Sequence, residues 1–152
     1  MPPHIVFYKG AIIMVQLLIG HKGSGKTKKM VDMANASLDK VNGSVVFINK
    51  NHRLMYDLKY RIRVVCMEDF EHVTNIDEYI GFLYGIISQD HDIEIIFIDS
   101  ILQHADVKLE DLEEFLMRLS SISEKYGPDF VVSISQDIDA LGSYIHQYKI
   151  LN

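Results

Sequence analysis

The eight residues GHKGSGKT, Gly20 to Thr27, satisfy the pattern G-x-x-x-x-G-K-[ST] in full. Each residue type there has a chemical reason. Glycines let backbone N–H groups turn inward and approach an anion without a Cβ in the way. A helix starting at the loop points its positive end at the same place. Lys26 has the reach to meet the β- and γ-phosphates of a nucleotide, and the Thr27 hydroxyl suits Mg²⁺. The loop reading therefore takes Gly20, His21, Lys22, Gly23, Ser24, Gly25, Lys26, Thr27 and Lys28 as the binding segment. His21 lies within the loop and could touch phosphate.

Such a loop works only if a strand delivers it and a helix leaves it. The apolar run VQLLI before Gly20 reads as that strand, and Met30, Val31, Ala34 and Leu38 recur at helical spacing after it. Asn42-Gly43 breaks the helix. Further strands are expected at SVVFIN (44–49), RIRVVCM (61–67), IEIIFID (93–99) and DFVVSIS (129–135), with HRLMYDLKY between the second and third as a short helix or turn. Asn75, with Glu78 three residues on, has the form of a capping box opening a helix whose inner stripe includes Tyr79, Ile80, Leu83 and Ile86. Leu109 to Ile122 forms a second amphipathic helix, stopped by Gly127-Pro128. Residues 138–150 are expected as a last helix. Alternating strands and helices predict a three-layer α/β/α sandwich with a mainly parallel sheet of about five strands.

Composition narrows the classes. The chain has 152 residues, 48% hydrophobic and 24% charged, which fits one globular domain over 14–152. Residues 1–13 read as an extension or an extra edge strand, HIVFY, with Met14 as an alternative start. The net charge of −6 repels nucleic acid overall, although Lys22, Lys26, Lys28 and Lys29 cluster locally. The apolar run 11–19 is too short to span a bilayer, so no membrane partner is expected and the expected location is the cytoplasm. The single cysteine, Cys66, excludes a disulfide framework and a cysteine-based metal site, and reads as a small buried hydrophobe. His72, His91 and His104 fall in loops without ligand spacing.

With loop and element order in hand, the chain resembles the P-loop nucleoside triphosphatases, the loop being their Walker A element. IIFIDS (95–100) is similar to their Walker B strand. By that resemblance Asp99 holds Mg²⁺ together with Thr27, and the cofactors are ATP and Mg²⁺. VVSISQD (131–137) resembles the strand that in RecA-like members ends in a γ-phosphate sensor, which maps to Gln136 or Ser135. The same resemblance puts strand 130–135 between the loop strand and strand 95–98. The chain also resembles small P-loop proteins of Gram-positive bacteria labelled as twitching-motility ATPases. The acidic and histidine boxes of pilus-retraction motors are not found among these residues.

One part departs from the RecA-like pattern. The tip of the second strand offers Asn49, Lys50, Asn51 and His52, where a water-activating glutamate is expected. Glu68 is the nearest carboxylate at a strand tip and the candidate substitute. The reading is thus Mg·ATP binding with slow or partner-stimulated hydrolysis, with Lys26, Asp99, Gln136 and Glu68 as catalytic candidates. A nucleotide-dependent switch, read by an unidentified protein partner or a second copy through loops 49–60 or 100–108, fits the same residues. The alternative is a small-molecule kinase, whose acceptor pocket could form around Arg53, Arg61 and Arg63. NKNH (49–52) is not a GTPase base-recognition element, because His52 stands where Asp is required and the stretch precedes Asp99.

Overall fold

The computed structural model describes residues 15–152. The expected extension and edge strand at 1–13 lie outside the described residues. The elements are β1 (Val15–Gly20), α1 (Lys26–Ser37), β2 (Ser44–Asn49), β3 (Ile62–Cys66), α2 (Ile76–Gln89), β4 (Ile93–Ile98), α3 (Leu112–Tyr126), β5 (Asp129–Ser135) and β6 (Lys149–Ile150). All pairings are parallel, in the order β3-β2-β4-β5-β1-β6. β5 thus separates β1 from β4, the arrangement the RecA-like resemblance implies.

The strands alternate their side chains between two cores. Leu18, Val45, Phe47, Phe97 and Val131 face α1, where Met30, Val31 and Ala34 meet them. Leu17, Val46, Ile48, Ile96, Ile98, Phe130 and Val132 face the opposite way, onto α2 and α3. Both sheet faces are covered, so the central strands carry near-continuous apolar runs. Phe47 and Phe97 stack with ring centroids 5.9 Å apart, and Tyr79 meets Phe115 edge-on at 5.4 Å. Each fully buried side chain of this size contributes roughly 1.5–3 kcal/mol, which locks the sheet that carries the loops.

Helix ends follow local chemistry. The Asn75 side chain accepts from the Glu78 amide at 2.9 Å. The reciprocal half of the expected box shifts by one residue, since the Glu78 carboxylate accepts from the Thr74 amide at 2.8 Å. α3 begins three residues later than the Leu109 stripe implies, behind a single 3₁₀ turn at Leu109–Asp111. Gly127 ends it at φ 105°, a conformation that favours glycine, with its amide on the Ser123 carbonyl at 2.9 Å.

The expected last helix over 138–150 does not form. Two 3₁₀ turns, Ile138–Ala140 and Ser143–Gln147, lead into β6, a sixth strand. The reason lies on the outer edge of β1, whose backbone groups need partners. The Leu151 amide donates to the Leu17 carbonyl at 2.8 Å, and the Ile19 amide donates to the Asn152 side-chain oxygen at 2.9 Å. The Asn152 side-chain nitrogen returns a hydrogen bond to the Ile19 carbonyl. Among the described residues, no helix is long and apolar enough to cross a membrane.

Candidate functional site

β1 ends at Gly20, and its register partner is Ser135, the last residue of β5. The Gln136 amide continues the ladder onto the Gly20 carbonyl at 3.0 Å. The glycine loop therefore leaves the sheet beside the tips of β5 and β4. Gly23 and Gly25 adopt φ of 85° and 88°, which glycine tolerates at low cost. A Cβ on Gly20 would lie 2.8 Å from the Ser24 hydroxyl, which would have to turn aside to make room. Gly25 caps α1 without a side-chain acceptor. The N–H groups of the first turn of α1 consequently face the loop with no side chain competing for them.

Lys26 is 8% exposed, an unusual burial for an ammonium group. Its Nζ donates to the His21 carbonyl at 2.7 Å and to the Ser24 hydroxyl at 3.3 Å. Burial lowers its pKa, opposed by the charge of Asp99. Asp99 follows β4 and is 5% exposed. Burial pushes its carboxyl above the usual range, against hydrogen bonds from Ser133 and Thr27 and the charge of Lys26. The Thr27 hydroxyl donates to the two Asp99 oxygens at 3.1 and 3.3 Å. Ser133 Oγ donates to Asp99 Oδ1 at 2.8 Å and accepts from the Ser100 amide at 2.6 Å. Ser100 itself holds a left-handed conformation, φ 56°.

These groups bound a cleft of about 510 Å³ that also reaches Lys22, Lys28, Asn49, Lys50, Asn51, Arg53 and Ser135. It offers buried positive charge and backbone donors for an anion, next to a hydroxyl–carboxylate pair suited to a hard cation. Lys28 lies at its rim with its ammonium on Asp32 at 2.9 Å, and Lys29 is turned away onto the Leu151 carbonyl. His21 reaches across to Asp137 at 3.6 Å.

Gln136 and Glu68 do not line this cleft. Both line an adjoining cleft of about 850 Å³, with Lys50, Gln103 and Ser135 shared between the two clefts. His104 lines the second cleft, 6% exposed, with neither ring nitrogen hydrogen-bonded among the described residues, and burial lowers its pKa to about 4. Arg53 reaches the first cleft, whereas Arg118 is spent on Asp77 at 2.5 Å and Glu114 at 3.6 Å.

Two features escaped the sequence reading. Ser133 is a hydroxyl inside the apolar strand DFVVSIS, and that interruption was the available signal. The second is a cluster of His52, Cys66 and Asp69, whose potential ligand atoms all lie within 4.8 Å of one another. Counting cysteines alone excluded a cysteine-based metal site. The fold adds a histidine and a carboxylate from two other turns. Cys66 itself is buried as expected. No protein-family model matches the chain, and no curated protein matches it.

Proposed function

We propose that the chain binds Mg·ATP at Gly20–Thr27 and hydrolyses it slowly, or only when a partner protein or a second copy completes the site. The observation that carries this is the joint placement of Lys26, buried at the start of α1, and Thr27, hydrogen-bonded to Asp99. The residues fit the cofactor: the glycine turn leaves room for phosphate, and Thr27 and Asp99 supply oxygen ligands of the kind Mg²⁺ takes. Mg²⁺ supplies neutralisation of charge on the phosphate oxygens. Lys26 adds positive charge and hydrogen bonds to the same oxygens, and Ser133 holds the Asp99 carboxylate in orientation. The order β1-β5-β4 further supports a RecA-like P-loop triphosphatase. A cytoplasmic location, where ATP and reduced thiols are held, goes with this reading.

Slow turnover follows from the tips. Asn49 and Asn51 stand where a carboxylate would polarise water, and Glu68 and Gln136 border the neighbouring cleft. ATP rather than GTP rests on the family resemblance, since no residue of the cleft is assigned to the base.

One observation favours a second reading, a small-molecule kinase. The adjoining cleft joins the first at Lys50, Gln103 and Ser135 and presents Glu68 and His104, enough for an acceptor molecule beside a γ-phosphate. The deciding experiment is nucleotide binding and steady-state phosphate release from Mg·ATP, with Lys26→Ala as control. Phosphate release by the wild type that is lost in the variant, with binding weakened, supports the ATPase. Binding without release supports the switch or the kinase. No binding by the wild type overturns the proposal.

A further inference from the structure

We propose that His52, Cys66 and Asp69 form a binding site for one thiophilic divalent metal ion of the zinc class, separate from any magnesium held at Thr27 and Asp99. Cys66 ends β3, and its register partner on β2 is Asn49. His52 opens the 3₁₀ turn that follows β2, and Asp69 closes the turn that follows β3. The two parallel strand tips thus deliver the three side chains to one point.

The frame is held independently of the ligands. The Glu68 amide donates to the Lys50 carbonyl at 3.0 Å, which ties the two turns together. The Asn51 side chain accepts from the Arg53 amide at 3.0 Å and fixes the turn that carries His52. Cys66 Sγ stands 3.2 Å from His52 Nδ1, and Asp69 Oδ1 and Oδ2 each stand 3.0 Å from His52 Nε2. A tetrahedral ion with ordinary zinc–sulfur and zinc–nitrogen bonds separates those two atoms by about 3.5 Å. An ion takes only one of the two ring nitrogens, so binding must bring the Cys66 sulfur and an Asp69 oxygen to the same nitrogen of His52; one ligand atom from each residue already lies within 4.8 Å of the others.

The donor set selects the metal. Thiolate, imidazole and carboxylate together suit Zn²⁺ and Co²⁺, whereas Mg²⁺ and Ca²⁺ prefer oxygen. Three protein ligands leave a fourth position for water. Access selects an ion over a larger reagent: His52 and Asp69 are half exposed, but Cys66 is only 3% exposed. On binding, the Cys66 thiol forms the metal–sulfur bond and releases its proton to solvent. The ion would pin the start of the 50–61 crossover, which carries Lys50, Asn51 and Arg53 into the first cleft.

The test titrates the full chain with Co²⁺ alone, without nucleotide, under a thiol-free reductant. The expected result is a thiolate-to-cobalt charge-transfer band in the near ultraviolet, saturating at one ion per chain and bleached by Zn²⁺. His52→Gln and Asp69→Asn, both on exposed turns, should weaken cobalt binding by at least about tenfold. His72→Gln, at an exposed histidine outside the cluster, should leave it unchanged. Absence of the band in the folded wild type overturns the proposal. So does undiminished affinity in both His52→Gln and Asp69→Asn, which would reduce the site to a lone thiol. Because no nucleotide is present, these outcomes are independent of the ATP reading.

Discussion

The Thr27 hydroxyl stands 3.1 Å from Asp99 Oδ2, across 72 positions of the chain. One residue opens α1 and the other follows β4, with β5 lying between β1 and β4 in the sheet. The contact joins the two halves of the proposed magnesium site. It also shows what that site costs: a carboxylate of 5% exposure whose pKa is raised by burial.

Asp99→Asn should therefore stabilise the free protein at neutral pH while abolishing magnesium-dependent nucleotide binding. The sign follows from linkage. A carboxyl whose folded pKa is raised contributes stability below its unfolded pKa and loses it as pH rises through the folded value. At pH 7 the charged form is the penalised one, and the amide removes the charge. Thermal melts with and without Mg·ATP check both halves. A variant less stable than the wild type at pH 7 would show that the hydrogen bonds from Thr27 and Ser133 outweigh burial.

Lys26→Ala should weaken nucleotide binding by about 10- to 100-fold, the loss of a charged hydrogen bond at 1.5–3 kcal/mol. Calorimetric titration measures it, with far-ultraviolet dichroism confirming the fold. Thr27→Ala should weaken binding mainly in the presence of Mg²⁺.

Glu68→Gln and Gln136→Ala separate the two functional readings. If either residue serves hydrolysis, phosphate release falls while nucleotide affinity holds. If the second cleft receives an acceptor, basal release is unaffected and transfer to the acceptor is lost. Single-turnover kinetics beside equilibrium binding distinguish these results.

Asp129, at the start of β5, has a pKa raised to about 7 by burial and then by the charge of Glu94. Its contribution is fully present below the unfolded value of 3.8 and is lost as pH rises toward about 7. His104, lowered to about 4, acts with the opposite sign, its contribution being lost as pH falls from 6.5. The clean observable is thus a difference. The stability of Asp129→Asn relative to wild type should grow with pH between about 4 and about 7, then level off. Denaturant melts across that range measure it, and a flat difference would overturn the assignment.

Tyr79 is fully buried, and its hydroxyl has no hydrogen-bond partner among the described residues. Tyr79→Phe keeps the ring against Phe115 and removes the unsatisfied group. It should raise stability by about 1 kcal/mol, which corresponds to about 2–4 °C in Tm for a chain of this size. A loss of stability would mean that the hydroxyl is satisfied by water.

Most of the architecture was legible because it is local. Five strands and three helices follow from apolar periodicity, and the turns at Asn75 and Gly127 follow from capping chemistry. The helix expected over 138–150 has only local propensity behind it, which Gly142 weakens. An unpaired edge on β1, more than 130 positions away in sequence, decided otherwise.

The sequence by itself determined the loop: Gly20 to Thr27 carries its chemistry in residue type and spacing, because backbone freedom, a lysine and a hydroxyl are properties of a contiguous stretch. It determined the alternation of strands and helices for the same reason. Only the tertiary structure decided that Ser133 holds Asp99, that Glu68 and Gln136 share a second cleft, and that His52 and Asp69 flank Cys66. Those relationships depend on strand order, and strand order is set by which apolar faces pack together, an outcome of the whole chain.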